Sequence, residues 1–376
     1  MMNISWSGSR IDLNSVLIYE RNFTMTKKYT LQCSQPTYSD LGEEQNLLPL
    51  FHENEEQTKN VWERKRETLT KRWEKVIGKP SFTYDPKDIE ILEKFEQPDY
   101  FGTLCKQSTG PFNKQLVLIM EPKKPAANPR PGAIVPFYHP DTMSGFDLNN
   151  KKVIEDAKAV QFGLHLVRQG YVAVCTEAFP FNTVPEPAEN KGFTWWRAAS
   201  EKLLLDNPQW TGIGKLIWDT SRGVDLLLRL ENIDPNRIVI IGHSLGGKMA
   251  FCTAAFDERI TAVVASDFGI GWDFTNWDDI WYFGKQIHDE DFRLQNHQLL
   301  AMIAPRPFLL IAGLYDKPES WQYINEAKKV YKIYQKEDHV GMVDHATGHR
   351  PTMDAMGIAY RWLAEQFDFP FKEWKD

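Results

Sequence analysis

Short continuous apolar runs recur from residue 132 onward: GAIVPFYHP (132–140), YVAVCTEA (171–178), RIVIIG (237–242), TAVVASDF (261–268) and PFLLIAGLYD (307–316). Runs that are apolar at nearly every position predict strands buried on both faces, as in a parallel sheet. Between them apolar residues recur at helical spacing. VIEDAKAVQFGLHLVRQG, GKLIWDTSRGVDLLLRLENI, GKMAFCTAAFDERI, SWQYINEAKKVYKIYQ and TMDAMGIAYRWLAEQF all read as helices. Upstream, NVWERKRETLTKRWEKVIG (60–78) repeats Trp62, Leu69, Trp73 and Ile77 on one helical face, with charges on the others. YFGTLCKQ and KQLVLIME flank STGPFN, which signals a hairpin.

Strands alternating with helices predict a mostly parallel central sheet with helices on both faces. Residues 1–55 are polar and weakly periodic, and are expected to form an irregular N-terminal extension. Residues 56–376 are expected to form one α/β domain, with 56–100 as an N-terminal helical segment and 268–300 as a cap insertion. Two long loops, 179–210 and 268–300, carry Trp195, Trp196, Trp210, Trp272, Trp277 and Trp281.

Composition narrows the class. The chain has 376 residues, 42% hydrophobic and 25% charged, enough for a sizeable core. A formal net charge of -7, spread along the chain, argues against a nucleic-acid surface. Cys33, Cys105, Cys175 and Cys252 are far apart, without a CxxC pair, so neither a disulfide framework nor a zinc site is expected. No run reaches the ~18 apolar residues of a membrane span. The N-terminus lacks the basic start and apolar core of a secretory signal, which points to the cytoplasm. Met25, opening MTKKYTLQC, reads as an alternative start, with residues 1–24 then a loosely held extension.

IVIIGHSLGGKMA (238–250) carries the candidate chemistry. A strand runs into Gly242-His243-Ser244-Leu245-Gly246 and a small-residue helix follows, the setting of a nucleophile elbow. There Ser244 is exposed on a tight turn, and the N–H of Leu245 at the helix start can hold an oxyanion. A serine needs a base. Among the histidines after Ser244, His349 lies in a glycine-flanked loop before the final helix, and His345 is its competitor. His339 is expected at a strand start, and His288 and His297 in the long second loop as solvated side chains. His243 is expected to be oriented by packing. For the acid, Asp316 ends the strand PFLLIAGLYD and is preferred; Asp267, ending TAVVASDF, is the alternative.

At these residues the chain resembles the α/β-hydrolase superfamily, in the branch of dienelactone-hydrolase-like proteins, acetyl xylan esterases and glucuronoyl esterases. LVRQGYVAVCTEAF, GKLIWDTSRGVDLLL, IDPNRIVIIGHSLGGKMAFCTAAFDERITAVVASD, MIAPRPFLLIAGLYD and GHRPT carry the resemblance. It implies the α/β-hydrolase fold, with an N-terminal helical extension and aromatic-rich cap loops, and a Ser-Asp-His triad. Glucuronoyl esterases place the serine between cysteine and arginine, whereas His243 and Leu245 flank it here. They often take their acid from the position of Asp267; dienelactone hydrolases and acetyl xylan esterases use that of Asp316. The second oxyanion donor is expected in FYHPDTMSG, from a backbone N–H of Tyr138 or His139.

These readings imply a serine hydrolase of carboxylic esters working through an acyl-enzyme, with no metal and no organic cofactor. Its partner is a small-molecule ester, with acylated or uronoyl carbohydrate esters suggested by the resemblance; lactones and thioesters stay open. Trp195, Trp196, Trp272 and Trp277 are candidates for stacking on substrate, with packing of a lid core as the other reading. A non-catalytic ligand-binding protein on the same fold is the competing class.

Overall fold

The computed structural model describes residues 27–37, 40–80, 82–110, 113–182 and 193–375. The alternative start at Met25 and part of the first long loop lie outside these residues. A nine-stranded sheet runs through the molecule in the order β1-β2-β3-β7-β4-β8-β9-β10-β11. The strands are β1 (Ile89–Glu96), β2 (Tyr100–Ser108), β3 (Lys114–Pro122), β4 (Arg130–Pro136), β7 (Val172–Thr176), β8 (Ile233–His243), β9 (Ala262–Ser266), β10 (Phe308–Ala312) and β11 (Val340–Asp344). A two-residue ribbon of β5 (Phe146–Asp147) and β6 (Lys152–Val153) stands apart. From β7 to β11 all neighbours are parallel, and β1, β2 and β3 extend the sheet antiparallel.

The continuous apolar runs become the parallel strands because both faces are covered. Ile238 and Ile240 of β8 join one core; Val239 and Ile241, pointing the opposite way, join the other. The expected hairpin is β2–β3, paired from Tyr100↔Pro122 to Ser108↔Lys114. The helix Lys59–Ile77 buries Trp62, Leu69, Trp73 and Ile77, and Thr58 caps it by accepting from the Val61 N–H.

Several elements differ from the sequence reading, among them the helix Lys28–Gln32 within the stretch expected to be irregular. β1 escapes it because its charged residues leave it a largely exposed edge strand. The region expected as one helix over 153–170 is helical only at Phe162–Arg168 and in a 3-10 turn at Lys158–Val160, since Ala157 takes a left-handed φ of 59°. The first long loop contains the helix Phe193–Asp206, which buries Trp196, Ala199 and Leu203 at helical spacing. The second ends in the helix Asn296–Ile303, buried throughout.

Residues 33–58 hold no helix or strand among those described, and lie against the domain. The Gln45 N–H donates to Gln322, Leu48 to Gln295 and Leu50 to Glu326, while Leu50 and Phe51 are buried. Earlier still, the helix Lys28–Gln32 presents the Tyr29 and Thr30 N–H groups to Glu365. All four cysteines are buried and unbridged. No helix among the described residues is long and apolar enough to cross a membrane.

Candidate active site

Ser244 joins the end of β8 to the helix Leu245–Phe256, with φ 55° and ψ -117°. That conformation is strained for a residue with a side chain, and persists only where its surroundings enforce it. The Ser244 N–H donates to the Ser266 carbonyl at 2.8 Å. The flanking glycines are obligatory: a Cβ on Gly242 would lie 2.0 Å from the Gly246 carbonyl oxygen, and one on Gly246 would lie 2.2 Å from that of Pro136. Backbone and helix thus approach too closely for any side chain, and Ser244 is turned into a cavity of about 410 Å3.

His349, Asp267, Leu245, Tyr138 and Trp196 line the same cavity. His349 Nδ1 donates to Asp267 Oδ2 at 2.7 Å, which leaves Nε2 as the basic nitrogen. Asp267 is fully buried and His349 partly exposed. The Asp267 carboxylate also accepts the N–H groups of Leu314, Tyr315 and Asp316, at 2.8 to 3.2 Å.

Of the two acids the sequence offers, it is the alternative, Asp267, and not the preferred Asp316, that meets His349. The loop after β10 turns its backbone donors toward Asp267, and the Asp316 side chain points the other way. Its carboxylate accepts from the Gly269 and Ile270 N–H groups at 2.8 and 2.7 Å, and from the Ser320 hydroxyl at 3.0 Å. Complete burial pushes Asp316 up to about 6, with the neighbouring Asp267 adding to the effect. His345 is likewise set aside: its Nδ1 meets the Thr347 hydroxyl, its ring lies over Gly313, and it does not line the cavity.

Other expected residues separate by burial. Leu245 opens its helix beside Ser244, and Tyr138 faces the cavity, but the His139 side chain packs on Phe181 and lies near Glu177. Of the four tryptophans proposed for substrate, only Trp196 lines the cavity, joined by Trp281. Trp277 is wholly buried and donates to the Gly269 carbonyl; Trp272 donates to the Leu294 carbonyl; Trp195 packs edge-on against Phe181. These three are held by packing among aromatic rings. His297, expected to be solvated, is fully buried against the Leu48 carbonyl, and burial pushes it down to about 4.

His243 is held by its surroundings, as the sequence reading expects, whereas Lys248 is a cavity residue that reading did not single out. His243 is buried, its Nδ1 is 3.2 Å from the Ser266 hydroxyl, and its ring lies 4.5 Å from that of His349. Burial pushes it down to about 3, so it is a neutral imidazole at ordinary pH. Lys248 lies one turn beyond Ser244 and also lines the cavity. Its Nζ donates to Asn276 at 2.9 Å and to the Tyr282 hydroxyl at 3.2 Å, over the rings of Trp277 and Tyr282. Burial without a carboxylate partner at hydrogen-bond distance pushes it down to about 7. The signal was a lysine in an otherwise apolar, small-residue helix, at i+4 from the nucleophile. Among the described residues no group of three His, Cys, Asp or Glu side chains is placed to hold a metal ion.

A parallel sheet with a serine on the turn after β8, and a histidine–carboxylate pair beside it, defines the class. The fold is that of the α/β-hydrolases. Within it, residues 211–337 match the family described as glucuronyl esterase, fungi. "Putative hydrolase YtaP" of Bacillus subtilis (strain 168) is 26% identical over 295 residues, covering 74% of this chain and 93% of its own length. Among solved structures, a glucuronoyl esterase from Solibacter usitatus superimposes with a TM-score of 0.65 at 16% identity, covering 86% of this chain and 98% of that one. A carbohydrate esterase family 15 glucuronoyl esterase from Caldicellulosiruptor kristjansonii gives 0.60 at 18%, covering 86% and 91%.

Proposed function

We propose that the protein is a serine hydrolase of carboxylic esters, acting on acylated or uronoyl carbohydrate esters through an acyl-enzyme. The observation that carries this reading is the His349–Asp267 hydrogen bond in the cavity onto which the strained Ser244 opens. His349 Nε2 takes the Ser244 proton as Oγ attacks the ester carbonyl, and Asp267 stabilises the imidazolium that forms. The Leu245 N–H, at a helix N-terminus, holds the oxyanion, with a backbone N–H from Tyr138 as second donor. His349 then protonates the leaving alcohol, and water released to the same base hydrolyses the acyl-enzyme. Lys248 supplies a cationic donor beside the acyl group, and residues 268–300 form the cap. The match to the glucuronyl esterase family over 211–337 supports a uronoyl acyl group in a carbohydrate setting.

The test is a panel of p-nitrophenyl esters, acetylated sugars and methyl glucuronate esters, run beside fluorophosphonate labelling. Loss of the nucleophile in Ser244→Ala is expected to lower kcat by ~10⁶-fold. An unlabelled wild type that cleaves none of these esters would favour a ligand-binding protein instead.

A further inference from the structure

The Ser244 cavity does not stand alone. It shares Thr275 with a neighbouring cavity of about 620 Å3, and that one shares Leu48 and Arg293 with a groove of about 510 Å3. The groove runs between residues 48–55 and the helix Lys59–Ile77, with Leu50, Val61 and Leu69 among its lining. Arg64, Arg72 and Arg293 line it too, Arg64 and Arg72 lying eight residues apart on one helical face. None of the three has a carboxylate at ion-pair distance among the described residues. Elsewhere most arginines do: Arg66 holds Glu258, Arg130 holds Glu121, Arg168 holds Asp99 and Arg259 holds Asp257. Lys65, also in the groove, is occupied by Glu55 at 2.7 Å. A chain of net charge -7 thus gathers three uncompensated guanidinium groups around one concave surface.

The connecting cavity has a different chemistry. Asn46, Asp273, Asp278 and Gln295 line it beside the apolar Trp272 and Phe292, with Arg293 shared with the groove, which suits hydroxyl groups and sugar ring faces. A ligand long enough to span the three adjoining spaces would place its ester at Ser244, hydroxyls in the middle and negative charge at the arginines. We propose that the Arg64–Arg72–Arg293 groove binds the carboxylate-bearing end of an acidic oligosaccharide, remote from the ester that is cut. Planar guanidinium groups match carboxylates bidentately, and an apolar floor suits the C–H faces of pyranose rings. The direction of the chain rests on the ester-hydrolase reading; the binding of the acidic end does not.

Calorimetric titration of the full-length Ser244→Ala protein tests this independently of turnover. Trigalacturonate is expected to bind, with affinity falling as ionic strength rises. Xylotriose, neutral and similarly sized, is expected to bind at least about tenfold more weakly, as is trigalacturonate to the R64Q/R72Q/R293Q variant, since charge-assisted pairs are the strong ones. An unchanged melting curve for that variant separates loss of charge from misfolding. Equal binding of xylotriose, indifference to the three substitutions, or binding of tripolyphosphate but not trigalacturonate would each overturn the proposal. Acid binding with no ester cleavage by wild type would keep the groove and remove the hydrolase reading. Ester cleavage without acid binding would do the reverse.

Discussion

Asp267 accepts hydrogen bonds from His349 and from three successive backbone N–H groups, so its carboxylate is fixed before any substrate arrives. Asp267→Asn presents an amide that cannot stabilise the imidazolium, and is expected to lower kcat by about 10⁴-fold with substrate binding nearly unchanged. Asp316→Asn touches no residue of the Ser244–His349 pair. It weakens acceptance from Gly269, Ile270 and Ser320, and is expected to cost about 1–3 kcal/mol of stability, with the smaller loss of kcat. Parallel kinetics separate the two, since Asp267→Asn also weakens acceptance from the 314–316 N–H groups and lowers the denaturant midpoint as well. Lys248 offers a pH signature. Its ammonium is held down to about 7 in the folded chain against an ordinary value of 10.5. The folded state therefore binds fewer protons than the unfolded one between those values, and stability rises with pH across that window. Lys248→Met has no such term: its advantage in Tm over wild type is expected to be largest below pH 7 and to shrink toward pH 10.

The turn between β8 and the helix Leu245–Phe256 depends on absences of side chain rather than contacts. Gly246→Ala places a methyl group against the Pro136 carbonyl, a backbone atom that cannot swing aside. A loss of about 1–3 kcal/mol is expected, read as a lower denaturant midpoint, together with reduced fluorophosphonate labelling of Ser244. This element was legible in the sequence because strand, glycine turn and small-residue helix all point to one geometry. The helix Phe193–Asp206 was not: its tryptophans fit substrate stacking and lid packing alike in the sequence, and only the fold shows Trp196, Ala199 and Leu203 buried together. β1 was hidden by the opposite effect, an edge strand whose exposed charges mask the alternation.

Across the whole molecule, the parallel sheet could be read because each of its central strands is apolar on both faces, and two cores require that. The choice between Asp267 and Asp316 could not. Both follow apolar strands, β9 and β10, and periodicity says nothing about which loop donates its backbone to which carboxylate. Nor could the placement of residues 45–50, whose N–H groups end on Gln322, Gln295 and Glu326, hundreds of positions away. Irregular segments are satisfied by side chains on distant elements, and only the folded chain records those pairings.

The exchange of hydrogen bonds between the loops after β9 and β10 has a bearing on descent. Asp267 serves the turn at 314–316 as well as His349, so removing it harms folding and chemistry together. A lineage that lost activity could shed Ser244 or His349 by drift while still being selected to keep this aspartate. In a set of related sequences, the aspartate is then a poor witness to catalysis, and the serine and histidine are the positions to read.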